Sequence, residues 1–326
     1  MVNKEHQTLS TNMQIHIDSI KDASKELLGN IIRTPTIRSQ YLSSEINADV
    51  FLKLENLQYT SSFKVRGAYV SIKRLKEKQK QMGVIAMSAG NHAQAVAWWA
   101  KKERVKATIV MPEHAPLSKV MKTKSLGAEV ILKGRTLNES QTFVSELVNE
   151  KKLTLIHPYD DPNVVIGQGT LGLELMQDIE SLDILVIPIG GGGLISGISI
   201  VAKALSPNIE IYGVQTEKFP SMYNVLHKKN LNMLGDTLAD GIAVKMPGKI
   251  TSKIIKQSVN GILLIDEFEL EKAISSLFEN ERVVAEGAGA AGVAAISKNK
   301  DMFSGKRVGT VICGGNIDAR LFASIL

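Results

Sequence analysis

Short apolar runs recur along the chain, and most lack the alternation of apolar and polar residues that marks a half-exposed strand. They are rich in Val, Ile and Leu, which is typical of strands covered by helices on both faces. This pattern predicts strands at Val50–Leu54, Val84–Ser88, Ala107–Met111, Glu129–Leu132, Ile184–Ile189, Ile209–Val214, Gly261–Ile265 and Val308–Cys313.

Between these runs, apolar residues recur at the spacing of amphipathic helices. The spacing predicts helices at Lys64–Gln81, Asn91–Glu103, Leu117–Leu126, Leu137–Glu150, Leu194–Ala204, Glu267–Asn280 and Gly289–Ser297. Regular alternation of strands and helices predicts an α/β fold with mostly parallel sheets covered by helices. Residues 83–150 make a compact βαβαβα unit. We therefore expect two lobes: a small, mobile domain of residues 83–150, inserted into a large domain of residues 1–82 and 151–326.

Composition narrows the class of protein. Of the 326 residues, 44% are hydrophobic and 22% are charged, which is ordinary for a globular protein. The net charge is +6, but the lysines are spread rather than clustered, so no nucleic-acid partner is expected. The single cysteine, Cys313, fits a reducing compartment. The N-terminal stretch MVNKEHQTLSTN lacks the apolar core of a secretory signal, and no apolar run is long enough to cross a bilayer. We expect a cytoplasmic protein without a membrane partner.

Four consecutive glycines, at positions 190–193, follow an apolar strand and precede a predicted helix. Glycine loses more backbone entropy on folding than other residues do, so four in succession indicate a structural or functional requirement at this position. A loop between a strand and a helix N-terminus collects unpaired N–H groups and suits a phosphate. A flexible turn is the alternative. The sequence has neither a P-loop nor G-x-G-x-x-G spacing here, which argues against a nucleoside triphosphate or a dinucleotide.

The stretch SAGNHAQA, residues 88–95, also follows a strand and opens a helix. Ser88 and Asn91 are common capping residues, so a plain N-cap is one interpretation. The other is a second anion pocket, in which helix N–H groups face a carboxylate. His92 could act in catalysis, although a lone histidine at such a position is more often structural.

Lys64 stands in TSSFKVRGAY, where a helix is predicted to begin. A lysine forms an imine with an aldehyde only after its amine loses a proton, and its ordinary pKa is about 10.4. Burial and a helix N-terminus both lower that pKa. A surface lysine is the alternative, and it becomes a poor one if a phosphate site lies nearby in the fold.

Cys313 ends the last predicted strand, and two glycines follow it. Ligands of open parallel sheets bind at the carboxyl ends of strands, where Ser88, Gly190 and Cys313 all stand, so one cleft is expected. Cys313 has no identifiable His or Asp partner. We interpret it as a neutral hydrogen-bond partner or as an inert buried thiol. The histidines lack metal-ligand spacing and no G-x-S-x-G occurs, so neither a metal site nor a serine hydrolase is expected.

Together these motifs resemble pyridoxal-5′-phosphate enzymes of the tryptophan-synthase-β-like group, called fold type II. Within it, the chain is most similar to threonine/serine dehydratases and serine racemases. The resemblance runs from about Thr34 to Asp318. Its markers are FLKLENLQYTSSFKVRGA, SAGNHAQ, IVMPEHAP, KVMKTKSLGAEV, HPYDDPNVVIGQGT, GGGGL, ADGIAV and CGGN.

The resemblance implies a role for each matching residue, with the large domain binding the cofactor. Lys64 would bind the cofactor aldehyde and act as the catalytic base, with Phe63 beside the ring. Asn91 would bind the ring hydroxyl oxygen, Cys313 would face the pyridine nitrogen, and Glu286 would lie near the ring. The phosphate would be held by Gly190, Gly191, Gly192, Gly193 and Leu194. The substrate carboxylate would be surrounded by Ser62, Ser88, Ala89, Gly90 and His92.

The implied activity is β-elimination from L-threonine, and from L-serine, to a 2-oxo acid and ammonia, in a homodimer or homotetramer. Racemases carry a serine where Ala89 stands, and their divalent-ion site begins where Gln215 stands, so a dehydratase is favoured. The chain ends soon after Cys313, without the regulatory domain of biosynthetic enzymes, so we expect a degradative or unregulated type. The alternatives are a racemase, a 3-hydroxyaspartate-type dehydratase and a non-catalytic cofactor-binding protein. Ser61 replaces a glycine common in the group, which leaves the preferred amino acid open.

Overall fold

Two β-sheets organise the fold, which we describe from a computed structural model covering residues 15–326. The prediction that the N-terminus carries no secretory signal lies outside the described residues. No helix within residues 15–326 is long and apolar enough to span a bilayer.

The larger sheet has six strands. Its first two strands are antiparallel, and all its other neighbours are parallel. In spatial order the strands are β1 (Thr36–Ser39), β2 (Asp49–Lys53), β10 (Arg307–Val311), β7 (Ile184–Pro188), β8 (Glu210–Thr216) and β9 (Gly261–Ile265).

The smaller sheet is entirely parallel. In spatial order its strands are β5 (Glu129–Leu132), β4 (Ala107–Met111), β3 (Val84–Met87) and β6 (Thr154–Leu155). We propose that this sheet and its helices form the small lobe. Because β6 pairs with β3, the sheet continues past residue 150, where the sequence placed the end of that lobe.

Helices surround both sheets. They are α1 (Ile17–Leu27), α2 (Gln40–Ile46), α3 (Lys64–Lys73), α4 (Glu77–Met82), α5 (Asn91–Lys102), α6 (Leu117–Ser125), α7 (Leu137–Lys151), α8 (Pro162–Asp178), α9 (Gly193–Leu205), α10 (Ser221–His227), α11 (Lys249–Ser258), α12 (Glu267–Glu281), α13 (Gly287–Lys298), α14 (Lys300–Phe303) and α15 (Ala319–Ile325).

The apolar runs mark buried strands, as predicted. In β3, Val84 and Ala86 pack in one core cluster with Trp99 of α5. Ile85, between them, packs in a separate cluster with Val144 of α7. Both faces of the strand are covered by helices, which is why its sequence shows no alternation. The expected α/β fold with mostly parallel sheets is confirmed.

One predicted helix is wrong in length. The segment 64–81 forms two helices, α3 and α4, instead of one continuous helix. The chain is extended at Lys76, whose backbone N–H donates to the side chain of Gln79. This local cap starts a new helix after α3 ends.

Helix α3 crosses α8 at very short range. A Cβ atom added to Gly167 of α8 would lie 2.6 Å from the Cα of Gly67 in α3. No larger residue fits at this crossing. The two backbones therefore touch, and the start of α3 is fixed against α8.

A buried ionic network lies beside this crossing. Arg66 of α3 is fully buried and binds Glu55 at 2.8 Å and Glu174 of α8 at 2.7 Å. Lys53, also fully buried, lies 2.9 Å from Glu174 and 3.1 Å from Asp178. Each buried charge has an opposite partner, which is what makes such a network tolerable away from water. The network joins α3, α8 and the end of β2.

We expect Arg66→Leu to lower the free energy of unfolding by about 3–5 kcal/mol, because it leaves Glu55 and Glu174 buried without their shared cation. Arg38→Leu is the matched control. Its pair with Asp49 is partly exposed, so a loss of at most about 1 kcal/mol is expected. Urea denaturation of both variants measures the difference. Equal losses would contradict a structural role for the buried network.

Candidate active site

One cavity of about 1050 Å³ lies where β3, β7 and β10 end. Every site residue predicted from the sequence lines it, with the exception of Ser62. Strands β7 and β10 belong to the larger sheet and β3 belongs to the smaller one, so the cavity lies between the carboxyl ends of strands from two sheets. The expectation of a single cleft therefore agrees with the geometry.

Lys64 is the first residue of α3, so its predicted place at a helix start is confirmed. Its Nζ donates a hydrogen bond to the carbonyl of Pro158 at 2.8 Å. Burial lowers the pKa of Lys64 to about 8, although Cys313 and Glu286 oppose the shift. A substantial fraction of the amine is therefore neutral near pH 8, and a neutral amine is a nucleophile and a base.

The glycine loop presents a row of unpaired donors. Helix α9 begins at Gly193, and Gly192 has a φ of 95°, which favours glycine. None of the backbone N–H groups from Gly190 to Leu194 donates to an acceptor within residues 15–326. These N–H groups stand at a helix N-terminus and their residues line the cavity, so the loop suits a phosphate.

Packing behind the loop also requires glycine. A Cβ atom on Gly192 would lie 2.8 Å from Ile255 and 2.9 Å from Thr251. A Cβ atom on Gly191 would overlap the ring of Tyr159. The loop is thus a packed structure, and the flexible-turn alternative does not describe it.

The segment His157–Asp160 connects Lys64 to the glycine loop. Pro158 accepts the hydrogen bond from Lys64, and the next residue, Tyr159, packs against Gly191 and Gly193. The Nδ1 of His157 accepts the backbone N–H groups of Tyr159 and Asp160, which fixes this turn. Sequence reasoning missed these residues as part of the site. The motif HPYDD was visible, but nothing local showed what it would contact.

Asn91 is held between two side chains. Its Nδ2 donates to Glu286 Oε1 at 2.6 Å, and its Oδ1 accepts from Asn316 Nδ2 at 2.7 Å. Burial and the charge of Asp240 raise the pKa of Glu286 to about 7, against the hydrogen bond from Asn91. Asn316 is a site residue that the sequence did not single out, although it ends the quoted motif CGGN.

The interpretation of residues 88–95 as a plain side-chain N-cap is wrong. The N-cap of α5 is Gly90, which has no side chain to offer, and Asn91 is the first helical residue. The Ser88 hydroxyl accepts from the Gly90 N–H at 3.2 Å instead. The first turn of α5 therefore keeps its N–H groups free of a side-chain cap.

Two predicted substrate contacts are buried. The His92 Nε2 donates to the carbonyl of Ile156 at 2.8 Å. Burial, together with Lys64, lowers the pKa of His92 to about 3, so the ring is neutral and the structural interpretation is favoured. The Ser62 hydroxyl is fully buried and has no hydrogen-bond partner in the described residues. Contact of Ser62, Ser88, Ala89, Gly90 and His92 with a substrate remains a prediction.

Cys313 is a neutral thiol. Its Sγ donates to the carbonyl of Ala288 at 3.2 Å, and burial raises the pKa of the thiol well above its ordinary range. A thiol that stays protonated is a poor nucleophile. It can serve as an uncharged hydrogen-bond partner, as the sequence suggested.

The residues present fit pyridoxal phosphate. A neutral lysine amine for the aldehyde, unpaired backbone donors for the phosphate, and an uncharged thiol for the ring nitrogen all line one cavity. No group of three or more His, Cys, Asp or Glu side chains within residues 15–326 has the arrangement of a metal site.

Comparison with known proteins identifies the family. The chain belongs to the family of pyridoxal-phosphate dependent enzymes, whose model matches residues 27–314. The recognition of this family, its fold and its cofactor from the sequence is confirmed.

Three relatives show how far the similarity extends. The L-threonine ammonia-lyase of Thermotoga maritima is 45% identical over 314 residues, which cover 96% of this chain and 78% of the relative. The catabolic L-threonine dehydratase TdcB of Staphylococcus aureus strain USA300 is 43% identical over 325 residues, covering 98% and 94%. The structure of maize serine racemase superposes with a TM-score of 0.90 at 31% identity, covering 96% of this chain and 97% of that one.

The lowered pKa of Lys64 predicts how the cofactor-free protein reacts with an aldehyde. Only the neutral amine attacks, so the rate should rise with pH through a midpoint near 8 and level off above it. Stopped-flow absorbance with pyridoxal phosphate between pH 6 and 10.5 measures the profile. The variant Lys64→Arg is the control, because it keeps the charge and cannot lose its proton. A midpoint above pH 10 would show an amine that is not desolvated.

Proposed function

We propose that this protein is a threonine ammonia-lyase (threonine dehydratase), which eliminates water from L-threonine, and from L-serine. The enamine that is released then takes up water and hydrolyses to a 2-oxo acid and ammonia. The observation that carries the proposal is the shared cavity, which is lined both by Lys64 and by the glycine-loop residues whose backbone N–H groups have no acceptor in the described chain. Two relatives named as threonine ammonia-lyase or dehydratase, at 45% and 43% identity, support the choice of substrate.

The residues that line the cavity have distinct roles in this reaction. The backbone N–H groups of Gly190, Gly191, Gly192, Gly193 and Leu194 would bind the cofactor phosphate. When bound, the cofactor supplies an electrophilic aldehyde and a ring that withdraws electrons from the substrate Cα.

Lys64 Nζ is the general base that takes the proton from Cα. It is suited to this because burial keeps much of the amine neutral near pH 8. The hydrogen bond to Pro158 fixes where the nitrogen lies before substrate arrives. A base held in place loses little freedom in the reaction, which favours proton transfer.

Three other residues set the environment of the ring. Asn91, whose amide is oriented by Glu286 and Asn316, would bind the ring hydroxyl oxygen. Phe63 would lie beside the ring. Cys313, which is uncharged, would face the pyridine nitrogen and provide no charge to hold a proton there. A ring without that proton withdraws electrons less strongly, which favours prompt elimination over transamination.

A racemase is the second candidate, because a serine racemase shares the fold closely. Racemisation needs a second acid or base on the opposite face of Cα. Ala89 lines the cavity at the position where racemases carry serine, and its methyl group cannot transfer a proton. This observation favours the dehydratase. A 3-hydroxyaspartate-type dehydratase and a non-catalytic cofactor-binding protein are the remaining alternatives.

We also infer the setting in which the enzyme works. The substrate is a free amino acid. The single, buried and reduced Cys313 is typical of the cytoplasm. The family resemblance supports a homodimer or a homotetramer.

A panel of L- and D-β-hydroxy amino acids, scored for both 2-oxo acid and enantiomer, tests the function. We expect L-threonine and L-serine to give 2-oxo acid without the products of inversion at Cα, which are D-allothreonine and D-serine. Lys64→Ala and Lys64→Arg should each lower turnover by about 10³-fold or more, because neither supplies a base at that position. Cofactor binding without turnover in the unaltered protein would favour the non-catalytic alternative, and the Cα-inverted amino acid as the main product would favour the racemase.

A further inference from the structure

The glycine loop is held from behind by α11. The hydroxyl of Thr251, a fully buried residue of this helix, donates to the carbonyl of Gly191 at 2.6 Å. The backbone N–H of Gly248 approaches the same carbonyl at 3.4 Å. Thr251 does not line the cavity, so it touches the loop and not the ligand space.

Asp160 holds the N-terminus of α11 in turn. Its Oδ1 accepts the backbone N–H groups of Ile250 at 2.8 Å and Thr251 at 3.2 Å, and its Oδ2 accepts that of Lys249 at 2.9 Å. The N-cap of α11 is Gly248, which has no side chain to cap the helix. A carboxylate from a distant segment therefore satisfies the donors that the helix itself leaves open.

The direction of the Gly191 carbonyl decides the direction of a donor. In a planar trans peptide the carbonyl and the following N–H point to opposite sides. With the Gly191 carbonyl turned toward Thr251, the N–H of Gly192 is turned away from α11. That N–H is one of the row from Gly190 to Leu194 that has no acceptor in the described chain.

We propose that Thr251 is a positioning residue for the cofactor phosphate, acting through the Gly191–Gly192 peptide, and that Asp160 sets the position of Thr251. The inference rests on the proposed role of residues 190–194 as the phosphate site. Asp160 belongs to the same turn as Pro158, which accepts the hydrogen bond from Lys64. One turn of the chain thus orients both attachment points of the cofactor.

The test compares binding of pyridoxal phosphate with binding of pyridoxal, which lacks the phosphate. Thr251→Val removes the hydroxyl at nearly constant volume, and Thr251→Ser keeps it. The full-length chain is freed of cofactor and titrated with each compound, followed by visible absorbance. We expect Thr251→Val to raise the Kd for pyridoxal phosphate about fivefold, as for one lost hydrogen bond, and to change that for pyridoxal less than about twofold. Thr251→Ser should retain both affinities.

A neighbouring pair of aspartates supplies a matched control. Asp160 caps α11, whereas Asp161 caps α8 by accepting from Asn163 and Val164. We expect Asp160→Asn to raise the Kd for pyridoxal phosphate about threefold and to change the Kd for pyridoxal less. Asp161→Asn should not show this selective loss.

The outcomes separate the inference from the proposed function. An unchanged Kd for pyridoxal phosphate in Thr251→Val, or an equal loss for both compounds, would overturn the positioning role. If the unaltered protein bound pyridoxal as tightly as pyridoxal phosphate, the assignment of residues 190–194 as the phosphate site would be wrong.

Discussion

The proposed chemistry depends on one lysine amine, that of Lys64, being largely desolvated. Removing an ammonium group from water is costly, so a buried lysine responds by losing its proton more readily, as Lys64 does. That position is maintained only if the first turn of α3 cannot move. The backbone contact between Gly67 and Gly167 and the ion pairs of Arg66 with Glu55 and Glu174 both hold it. The stabilising network and the reactive group are thus two residues apart in the same helix.

The second half of the site is placed by the turn at residues 157–160. Its Pro158 carbonyl meets the lysine, its Tyr159 ring covers Gly191, and its Asp160 carboxylate caps the helix that carries Thr251. Lys64 and the glycine loop, more than a hundred residues later in the chain, are therefore both contacted by one short segment. This arrangement suits a ligand that must be attached at both ends.

Much of the fold follows from local patterns, since buried strands produce apolar runs whatever their neighbours are. Helix α8 is an element that local sequence patterns do not reveal. It is buried on nearly all sides, so it has little amphipathic spacing, and its three glycines, Gly167, Gly169 and Gly172, suggest a loop. Those glycines serve close approach to neighbouring helices, a tertiary demand that no local signal reveals. The contact of Lys64 with Pro158 joins residues 94 positions apart, and Asn316 meets Asn91 across 225. The sequence placed Ser88, Gly190 and Cys313 at strand ends and Lys64 at a helix start, but it could not show which residues of the site would touch.

The most direct test of the shared cavity is to find which lysine the cofactor joins. The protein loaded with pyridoxal phosphate is reduced with borohydride, digested, and mapped by mass spectrometry. Three other lysines, Lys119, Lys122 and Lys245, line the same cavity and provide internal controls. We expect the reduced cofactor on Lys64 alone. A label on one of the other three, with Lys64 unmodified, would contradict the placement of the reactive amine and with it the proposed mechanism.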